Sequence, residues 1–341
     1  MRIAHIHDPL IGVIADVYLP AAQEQTWQRA RLSAFRSACT SAATHQAACI
    51  LLSGRLFGEG YVTHAVIAEV LGTIRQTDCQ VLWRPDAAGE KYLTHQEELP
   101  ENLVLLSPQQ PFTMAEDLRI ACGSAAKQAE SGCAILIAED EEPIGADTLR
   151  RLFREDADLQ YIVAGETCHP REGSAFASCR ANRLENAGFD DPDASGYHLL
   201  DFDGGRLVSR VFIGMSNYRF RTIPVHVENA DDPKAVLHRC MKATVGLTDH
   251  DFVRLILGGS VDVETFIDPD AIREQLKNRF FCLEVFDECQ LVLDEEAYAA
   301  DISLKSEFIR MVMADDTLSA NEKSRIIQCG WNALRGKELS E

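Results

Sequence analysis

Short apolar runs alternate with stretches of helical periodicity through the first half of the chain. Residues 2–7 and Ala48–Ser53 are apolar runs that each stop near a turn containing glycine, which is the pattern of buried parallel strands. Between them, Ala21–Ala43 carries apolar residues at helical spacing. The alternation continues through helix Thr63–Thr77, strand Gln80–Trp83, strand Leu103–Leu106, helix Ala115–Glu130, strand Ala134–Ala138, helix Ala146–Phe153 and strand Tyr161–Ala164. This order predicts an α/β fold with a sheet covered on both faces.

The pattern changes after residue 170. Residues 171–222 have Gly- and Asp-rich turns between short strands such as Tyr197–Phe202 and Leu207–Ile213, as expected of an antiparallel sheet. Residues 223–293 alternate strands with helices again, and both helices begin with proline after an acidic residue, at Pro233 and Pro269. We therefore predict one domain over 1–222 and a second over 223–293.

A helical hairpin over 302–336 closes the predicted architecture. Ser319 and Glu322 have the spacing of a capping box, which predicts the start of its second helix. An apolar stripe on the hairpin could bind a groove or a partner helix, and we assign to it Leu304, Phe308, Met311, Val312, Ile327 and Trp331. The alternative is a hairpin packed on its own domain.

Composition narrows the functional classes. The 341 residues are 46% hydrophobic and 25% charged, no apolar run approaches the roughly 20 residues of a membrane span, and no secretory signal is visible, so we expect a cytoplasmic protein. The net charge of -20 means that the protein as a whole does not attract the phosphate backbone of nucleic acid. The 11 cysteines contain no C-x-x-C pair, which argues against a disulfide framework or a zinc ribbon.

Six segments carry a family resemblance, and they are Met1–Gly12, Leu52–Phe57, Val81 with Pro85, Leu99–Val104, Tyr161–Gly165 and Gly196–Gly204. In their order and spacing they resemble the calcineurin-like metallophosphoesterases. Within that superfamily the chain is similar to DNA-repair exonuclease subunits of the SbcD and YhaO type, and its closing hairpin resembles the YhaO-type tail. The resemblance implies a metallophosphoesterase-like αββα sandwich with a small α+β cap module and a C-terminal helical hairpin.

The resemblance also implies a two-metal site, in which a bridging carboxylate holds two divalent ions about 4 Å apart. This chain departs from that ligand set at most positions. Asp8 is kept, Leu10 stands in place of the first histidine, and Arg55 stands in place of the bridging aspartate. The other vestigial positions are Ala87, Ala88, Glu139, Glu166 and Cys168.

Among the replaced positions, Arg55 is the one that argues most strongly against metal binding. A guanidinium is always protonated and cannot ligate a metal. At a separation of about 4 Å and an effective dielectric near 20, the repulsion between two like unit charges costs about 4 kcal/mol. The repulsion between the guanidinium and a dication costs about twice as much. We therefore expect no cofactor, and we expect the Arg55 guanidinium to pair with Asp8 and with Glu139 or Glu166. The alternative is a rewired site for manganese or another divalent metal at Asp8, Glu139, Glu166, Cys168 and His169.

A simpler interpretation competes for the histidines near Asp8. His5 and His7 lie in a predicted strand, where we expect ring nitrogens that are satisfied by neighbouring groups.

The resulting functional hypothesis is a catalytically inactive relative of the repair exonucleases that acts as a structural or regulatory subunit. The resemblance implies three partners, which are a coiled-coil ATPase of the SMC type bound through the hairpin, DNA, and a second copy of the chain. No membrane partner is expected. The alternative is an active metal-dependent phosphodiesterase or exonuclease with the rewired site.

Overall fold

A computed structural model gives the structure of this protein, and it divides into two compact units, Met1–Arg219 and Phe220–Glu341. These are called the N-terminal unit and the C-terminal unit below. The predicted three-part division at 222 and 293 stays a prediction. The structure describes residues 1–60, 62–94, 96, 98–122, 135–137, 159–164, 177–180, 182–191, 194–229, 231–261, 265, 267–291, 302–319, 322–323, 326–327, 329–330 and 333.

A six-stranded mixed sheet organises the N-terminal unit. Its strands are β1 (Arg2–His7), β2 (Cys49–Ser53), β3 (Gln80–Trp83), β4 (Leu103–Leu105), β10 (Gly196–Asp203) and β11 (Arg206–Gly214). The order across the sheet is β11-β10-β1-β2-β3-β4. The strands from β1 to β4 are parallel, and β10 is antiparallel to both β1 and β11. The α/β class and the antiparallel β10–β11 pair are thus confirmed.

A five-stranded sheet shares a core with the first. Its strands are β5 (Phe112–Ala115), β6 (Leu118–Cys122), β7 (Ile135–Ile137), β8 (Tyr161–Ala164) and β9 (Ala177–Arg180), in that order across the sheet. Ile3 and Leu51 of the first sheet join Ile120, Ile135 and Val163 of the second in one buried cluster. Burial of such side chains is worth about 1.5–3 kcal/mol each, so this layer fixes the two sheets against one another.

Two helices cover the outer face of the six-stranded sheet, namely α1 (Ala21–Thr44) and α2 (His64–Arg75). Phe35 of α1 and Val70 of α2 pack with Ile6, Ile50 and Val81, whose side chains alternate with those of the inner face. The hydroxyl of Thr63 accepts a hydrogen bond from the Val66 N–H and so caps α2. The predicted helices 21–43 and 63–77 are confirmed to within a few residues at their ends.

Two local predictions fail. The predicted helix Ala115–Glu130 is wrong over its described part, because β5 and β6 occupy 112–122. Leu118 and Ile120 are buried and Arg119 between them is exposed, which is the two-residue period of a strand. A seven-residue helix, α3 (Ala87–Leu93), was not predicted, and it starts where the Asp86 carboxylate accepts a hydrogen bond from the Gly89 N–H.

The C-terminal unit contains a three-stranded sheet, with its strands in the order β12 (Arg219–His226), β13 (Asp251–Gly258) and β15 (Cys282–Asp287), of which β13 and β15 are parallel. Asp232 and Asp268 cap the two helices whose first residues are Pro233 and Pro269, as predicted. Val236 and Ile272 of these helices pack on the sheet. The elements are β12 (Arg219–His226), α4 (Pro233–Ala243), β13 (Asp251–Gly258), β14 (Ser260–Val261), α5 (Pro269–Leu276), β15 (Cys282–Asp287) and β16 (Gln290–Leu291).

A further helix, α6 (Leu304–Met313), begins at a Ser303 cap. The predicted capping box is confirmed: the Ser319 N–H donates to the Glu322 carboxylate at 2.8 Å, and the Glu322 N–H donates to the Ser319 hydroxyl at 3.4 Å. Among the described residues, no helix is both long and apolar enough to cross a membrane.

Candidate functional site

The carboxyl ends of β1 and β2 hold the candidate site. Asp8 follows β1, and Gly54 and Arg55 follow β2. The two segments that follow these strands stay paired, because the Asp8 N–H donates to the Ser53 carbonyl at 3.1 Å and the Leu10 N–H donates to the Arg55 carbonyl at 3.2 Å. The site therefore lies on two loops that are joined by backbone hydrogen bonds.

Asp8 is buried and its backbone lies in the left-handed region, at a φ of 43°. Its Oδ1 accepts a hydrogen bond from the Arg55 backbone N–H at 2.7 Å. Gly54 permits this approach, because a Cβ built there would lie 2.1 Å from Asp8 Oδ1 and the Gly54 φ is +67°. The turn thus offers the carboxylate a backbone donor.

The predicted pairing of the Arg55 guanidinium with Asp8 is wrong. The turn directs the Arg55 backbone N–H at the carboxylate, and the side chain points away, with Nη1 3.3 Å from Glu59 Oε1. The cation beside Asp8 is Arg183, whose Nε lies 3.5 Å from Asp8 Oδ2. Arg183 also pairs with Asp191. The other predicted partners, Glu139 and Glu166, lie outside the described residues.

A chain of buried polar groups continues from Asp8 into the space between the two sheets. His7 Nδ1 lies 2.9 Å from the Ser53 hydroxyl, and His5 Nε2 lies 2.7 Å from the same hydroxyl. His5 Nδ1 is bonded to the hydroxyl of Tyr161, at 2.9 Å, from the five-stranded sheet. Both ring nitrogens of His5 are therefore satisfied, as expected. The second nitrogen of His7 lies 3.8 Å from Asp8 Oδ2.

A third histidine extends this cluster across the sheet. His198 of β10 stands opposite His5 in the strand register, and its Nε2 lies 3.1 Å from Arg210 Nη2 on β11. Burial lowers the pKa of His5 well below its usual 6.5, and nearby His7, His198 and Arg210 lower it further. Burial and Arg210 lower the pKa of His198 to about 4. Both imidazoles are therefore neutral at pH 7. His5 is held by the hydroxyls of Ser53 and Tyr161, and the neutral His198 ring accepts a hydrogen bond from the charged Arg210 guanidinium.

Arg31 of α1 was missed by sequence reasoning, although it fixes the site loop. Its guanidinium is buried and donates to the carbonyls of Leu10, Asn186, Pro9 and Glu185 at 2.8–3.3 Å. It also lies over the Trp27 ring, 5.0 Å from the centroid. Burial lowers its pKa to about 10, so it stays charged at neutral pH. The sequence contained one sign of this role, because Arg31 follows Trp27 by four residues and so lies on the apolar face of the predicted helix.

Glu185 belongs to the loop that Arg31 holds. Its Oε1 accepts a hydrogen bond from the Asn217 N–H at 2.9 Å. Burial raises its pKa to about 7, against the opposing effects of that bond and of Arg31. This carboxyl group therefore changes charge near neutral pH.

The remaining predicted site residues are scattered or lie outside the described part of the chain. Leu10 is buried at a φ of 50° and packs in the loop. Ala87 and Ala88 are exposed in the first turn of α3. The structure does not describe Glu139, Glu166, Cys168 or His169, so the alternative metal site with Asp8 stays a prediction.

The predicted partner-binding stripe divides in two. Val312 and Ile327 are buried and form a small core with Ile309. Leu304 and Met311 are exposed, while Phe308 is half-buried beside that core. Trp331 lies outside the described residues. Part of the stripe therefore serves the packing of the hairpin itself, and its role in partner binding stays a prediction.

The cluster has some of the groups of an activated nucleophile, because two imidazole nitrogens lie within hydrogen-bond distance of the Ser53 hydroxyl. However, Ser53 is 1% exposed and His5 is 1% exposed, so no substrate reaches the hydroxyl in this arrangement. The geometry suits a structural role, in which each polar group satisfies another between the sheets.

Comparison with known proteins gives no family. No protein-family model matches the chain, and no curated protein matches it. The chain is similar to the solved structure of a glutamine-dependent NAD(+) synthetase from Cytophaga hutchinsonii at 10% identity and a TM-score of 0.37, over 98% of this chain and 71% of that chain. At this TM-score the similarity supports no statement about a shared fold or activity.

The assignment to the calcineurin-like metallophosphoesterases is therefore corrected. No family model of that class matches the chain, and among the described residues no group of three or more His, Cys, Asp and Glu is placed to hold a metal ion. Near Asp8, the ring nitrogens of His5 and His7 instead bond to Ser53 and Tyr161, and the Asp8 carboxylate interacts with the Arg55 backbone N–H and with Arg183. The relationship to SbcD- and YhaO-type subunits, the SMC-type ATPase partner and the nuclease and DNA-repair functions are withdrawn with it.

Proposed function

We propose that this chain is a cytoplasmic protein that acts by assembling with another polypeptide, and that its buried polar cluster is structural. The observation that carries the proposal is β11, a nine-residue strand at the edge of the six-stranded sheet. An edge strand offers unpaired N–H and C=O groups to a further strand. In the described residues, no strand pairs with the outer edge of β11.

The polar cluster supports the same proposal by its burial. The side chains of Asp8 and His7 are 4% and 8% exposed, and the oxygens of Asp8 interact with Arg55, Arg183 and His7. A catalytic group has to reach its substrate within hydrogen-bond distance. Within the described part of the chain, the contacts of these two side chains are with other protein groups, which supports a role of the cluster in the packing between loops and sheets.

We also propose that the N-terminal unit is an αββα sandwich. The two sheets share one core, and α1 and α2 cover the outer face of one of them, which supports an αββα arrangement. That arrangement leaves the edges of the sheets as the places where backbone groups are open to a partner.

Co-purification tests the proposal. A tagged full-length chain is expressed in its own cells and isolated beside Val208→Lys/Val211→Lys, which places two lysines on β11, and beside Val245→Lys, an exposed valine of the C-terminal unit. Because lysine on an edge strand opposes pairing, we expect a polypeptide recovered with the wild type and Val245→Lys to be lost from the double variant. An identical set of recovered polypeptides for all three chains would refute the proposal.

A further inference from the structure

A row of five side chains joins the turn after β1 to the five-stranded sheet. Its members are, in spatial order, Asp8, His7, Ser53, His5 and Tyr161. The row contains three hydrogen bonds of 2.7–2.9 Å, and each of them joins a ring nitrogen to a hydroxyl group. Because hydroxyl groups and neutral imidazoles can both donate and accept, these distances allow the donors to point either way along the row.

The number of protons leaves only two patterns for the row when both rings are neutral. The Ser53 hydroxyl has one proton, so it donates to one of the two histidine rings and accepts from the other. A neutral imidazole has one N–H, so a ring that donates at one nitrogen accepts at the other. Either every donor therefore points toward Asp8, or every donor points toward Tyr161.

Asp8 distinguishes the two patterns, because the oxygens of its carboxylate only accept hydrogen bonds. His7 Nε2 lies 3.8 Å from Asp8 Oδ2. This distance is too long for a hydrogen bond, but both side chains are buried, so the charge of the carboxylate is weakly screened. It attracts an N–H at Nε2 and repels a lone pair there. Arg183 Nε lies 3.5 Å from the same oxygen, which can receive both donors because it has two lone pairs.

We propose that the charge of Asp8 sets the direction of every donor in the row, so that a change of charge at the turn after β1 reaches Tyr161 in the other sheet. In this pattern Tyr161 donates to His5 Nδ1. His5 Nε2 donates to Ser53, which donates to His7 Nδ1. Both rings therefore carry their proton on Nε2. The row is an element with two states, and Asp8 is the positioning residue that selects between them. This inference goes beyond the proposed assembly function and does not depend on β11.

His198 supplies an internal reference for this assignment. A guanidinium only donates hydrogen bonds, so Arg210 donates to His198 Nε2, at 3.1 Å. The proton of this neutral ring is then on Nδ1. The three buried histidines should therefore differ, with the proton on Nε2 in His5 and His7 and on Nδ1 in His198.

Nitrogen NMR of the full-length chain with isotope-labelled histidine tests the direction in the wild type. The spectra are recorded at about pH 8, where an ordinary imidazole is neutral, and the chemical shift of each ring nitrogen shows whether it carries the proton. The variants His5→Gln, His7→Gln and His198→Gln assign the signals. We expect a protonated Nε2 in His5 and His7 and a protonated Nδ1 in His198. A proton on Nδ1 of His5 or His7 would overturn the inference.

Asp8→Asn tests whether Asp8 sets the direction. Asparagine tolerates the left-handed backbone at this position. The Arg55 backbone N–H requires an acceptor at the position of Oδ1, 2.7 Å away, so the amide nitrogen takes the position of Oδ2 and presents a donor to His7 Nε2. We therefore expect the protons of His7 and His5 to move to Nδ1. Wild-type protonation of both rings in this variant would contradict the inference.

Two further variants complete the test. Asp86→Asn is the matched control, because this carboxylate caps α3 through the Gly89 N–H and asparagine caps equally well, so both rings should keep the wild-type pattern. Tyr161→Phe removes the hydroxyl at the other end of the row, and the protons should stay on Nε2 because Asp8 is intact. Their transfer to Nδ1 in Tyr161→Phe would show that Tyr161 sets the direction and would refute the role of Asp8, even if Asp8→Asn does not fold.

Discussion

Replacement of Arg31 with methionine should lower the free energy of unfolding of the N-terminal unit by about 3–5 kcal/mol, the usual cost of leaving buried polar partners unpaired. Methionine keeps an unbranched side chain that can pack beside Trp27, but it is shorter than arginine and lacks the guanidinium. It removes the donors to four backbone carbonyls, two on the Asp8 loop and two on the Glu185 loop. The Leu10 carbonyl keeps the hydrogen bond that it accepts from the Val13 N–H at 3.1 Å, and each of the four carbonyls loses the bond that the guanidinium donates.

Urea denaturation followed by tryptophan fluorescence measures this loss, because Trp27 and Trp83 are buried in the N-terminal unit. The matched control is Arg29→Met, an exposed arginine of the same helix, which should change the free energy of unfolding by less than about 0.5 kcal/mol. Arg31→Lys keeps the charge and fewer donors, so it should lie between the two. Equal stability of Arg31→Met and Arg29→Met would show that Arg31 does not hold the loops.

Acidification from pH 6.5 to 4.5 should destabilise the N-terminal unit by about 2–3 kcal/mol. His5 and His198 have folded pKa values below 6.5, with that of His198 at about 4. Below pH 6.5 the unfolded chain therefore binds two protons that the folded chain does not, and stability falls as the pH falls. Each such histidine contributes a slope of about 1.4 kcal/mol per pH unit.

Glu185 opposes this slope. Its folded pKa of about 7 is above its ordinary value of 4.5, so between pH 7 and 4.5 the folded chain binds the extra proton. Its contribution to stability is complete below pH 4.5 and is lost as the pH rises through 7. One histidine therefore remains uncompensated between pH 6.5 and 4.5, which gives a net slope of about 1.4 kcal/mol per pH unit.

Two variants separate these contributions in urea titrations at pH 6.5, 5.5 and 4.5. His198→Gln can accept the Arg210 hydrogen bond and does not titrate, so its stability should be nearly flat over this range. Glu185→Gln should show about twice the wild-type slope, because the opposing carboxyl group is gone. Parallel pH profiles for all three proteins would mean that neither residue controls the acid response.

The sequence predicted the scaffold of the site better than its chemistry. β1, β2 and β3 were found because their buried residues form continuous apolar runs, and the capping box at Ser319 was found because its two members are three residues apart. In contrast, the helix predicted from Ala115 covers the whole of β6 and the last residue of β5, since a strand of five residues gives too few periods to separate it from a helical pattern.

The contacts of Asp8 could not be predicted in the same way. The spacing placed Asp8 and Arg55 at neighbouring strand ends, but it could not show that the backbone N–H of Arg55, and not its guanidinium, meets the carboxylate. Arg183 is 175 residues away along the chain, and Tyr161 reaches His5 from the other sheet. Such contacts depend on how the sheets stack, which local periodicity does not specify.

The family resemblance failed for a related reason. Gly-bearing turns after buried parallel strands are common to many α/β folds, so Gly12 and Gly54 mark strand ends without identifying a metal site. The residues that would have carried the identification were already replaced, at Leu10, Arg55, Ala87 and Ala88. A framework shared by many proteins could not supply the function that those positions lack.

Hydrogen exchange by mass spectrometry tests the structural role of the buried cluster most directly, because it measures how often the backbone around Asp8 opens. If the cluster is structural, exchange is slow for residues 8–12 and 53–58 in the wild type and becomes faster there in Arg31→Met but not in Arg29→Met. Fast exchange of these residues in the wild type would contradict the structural role.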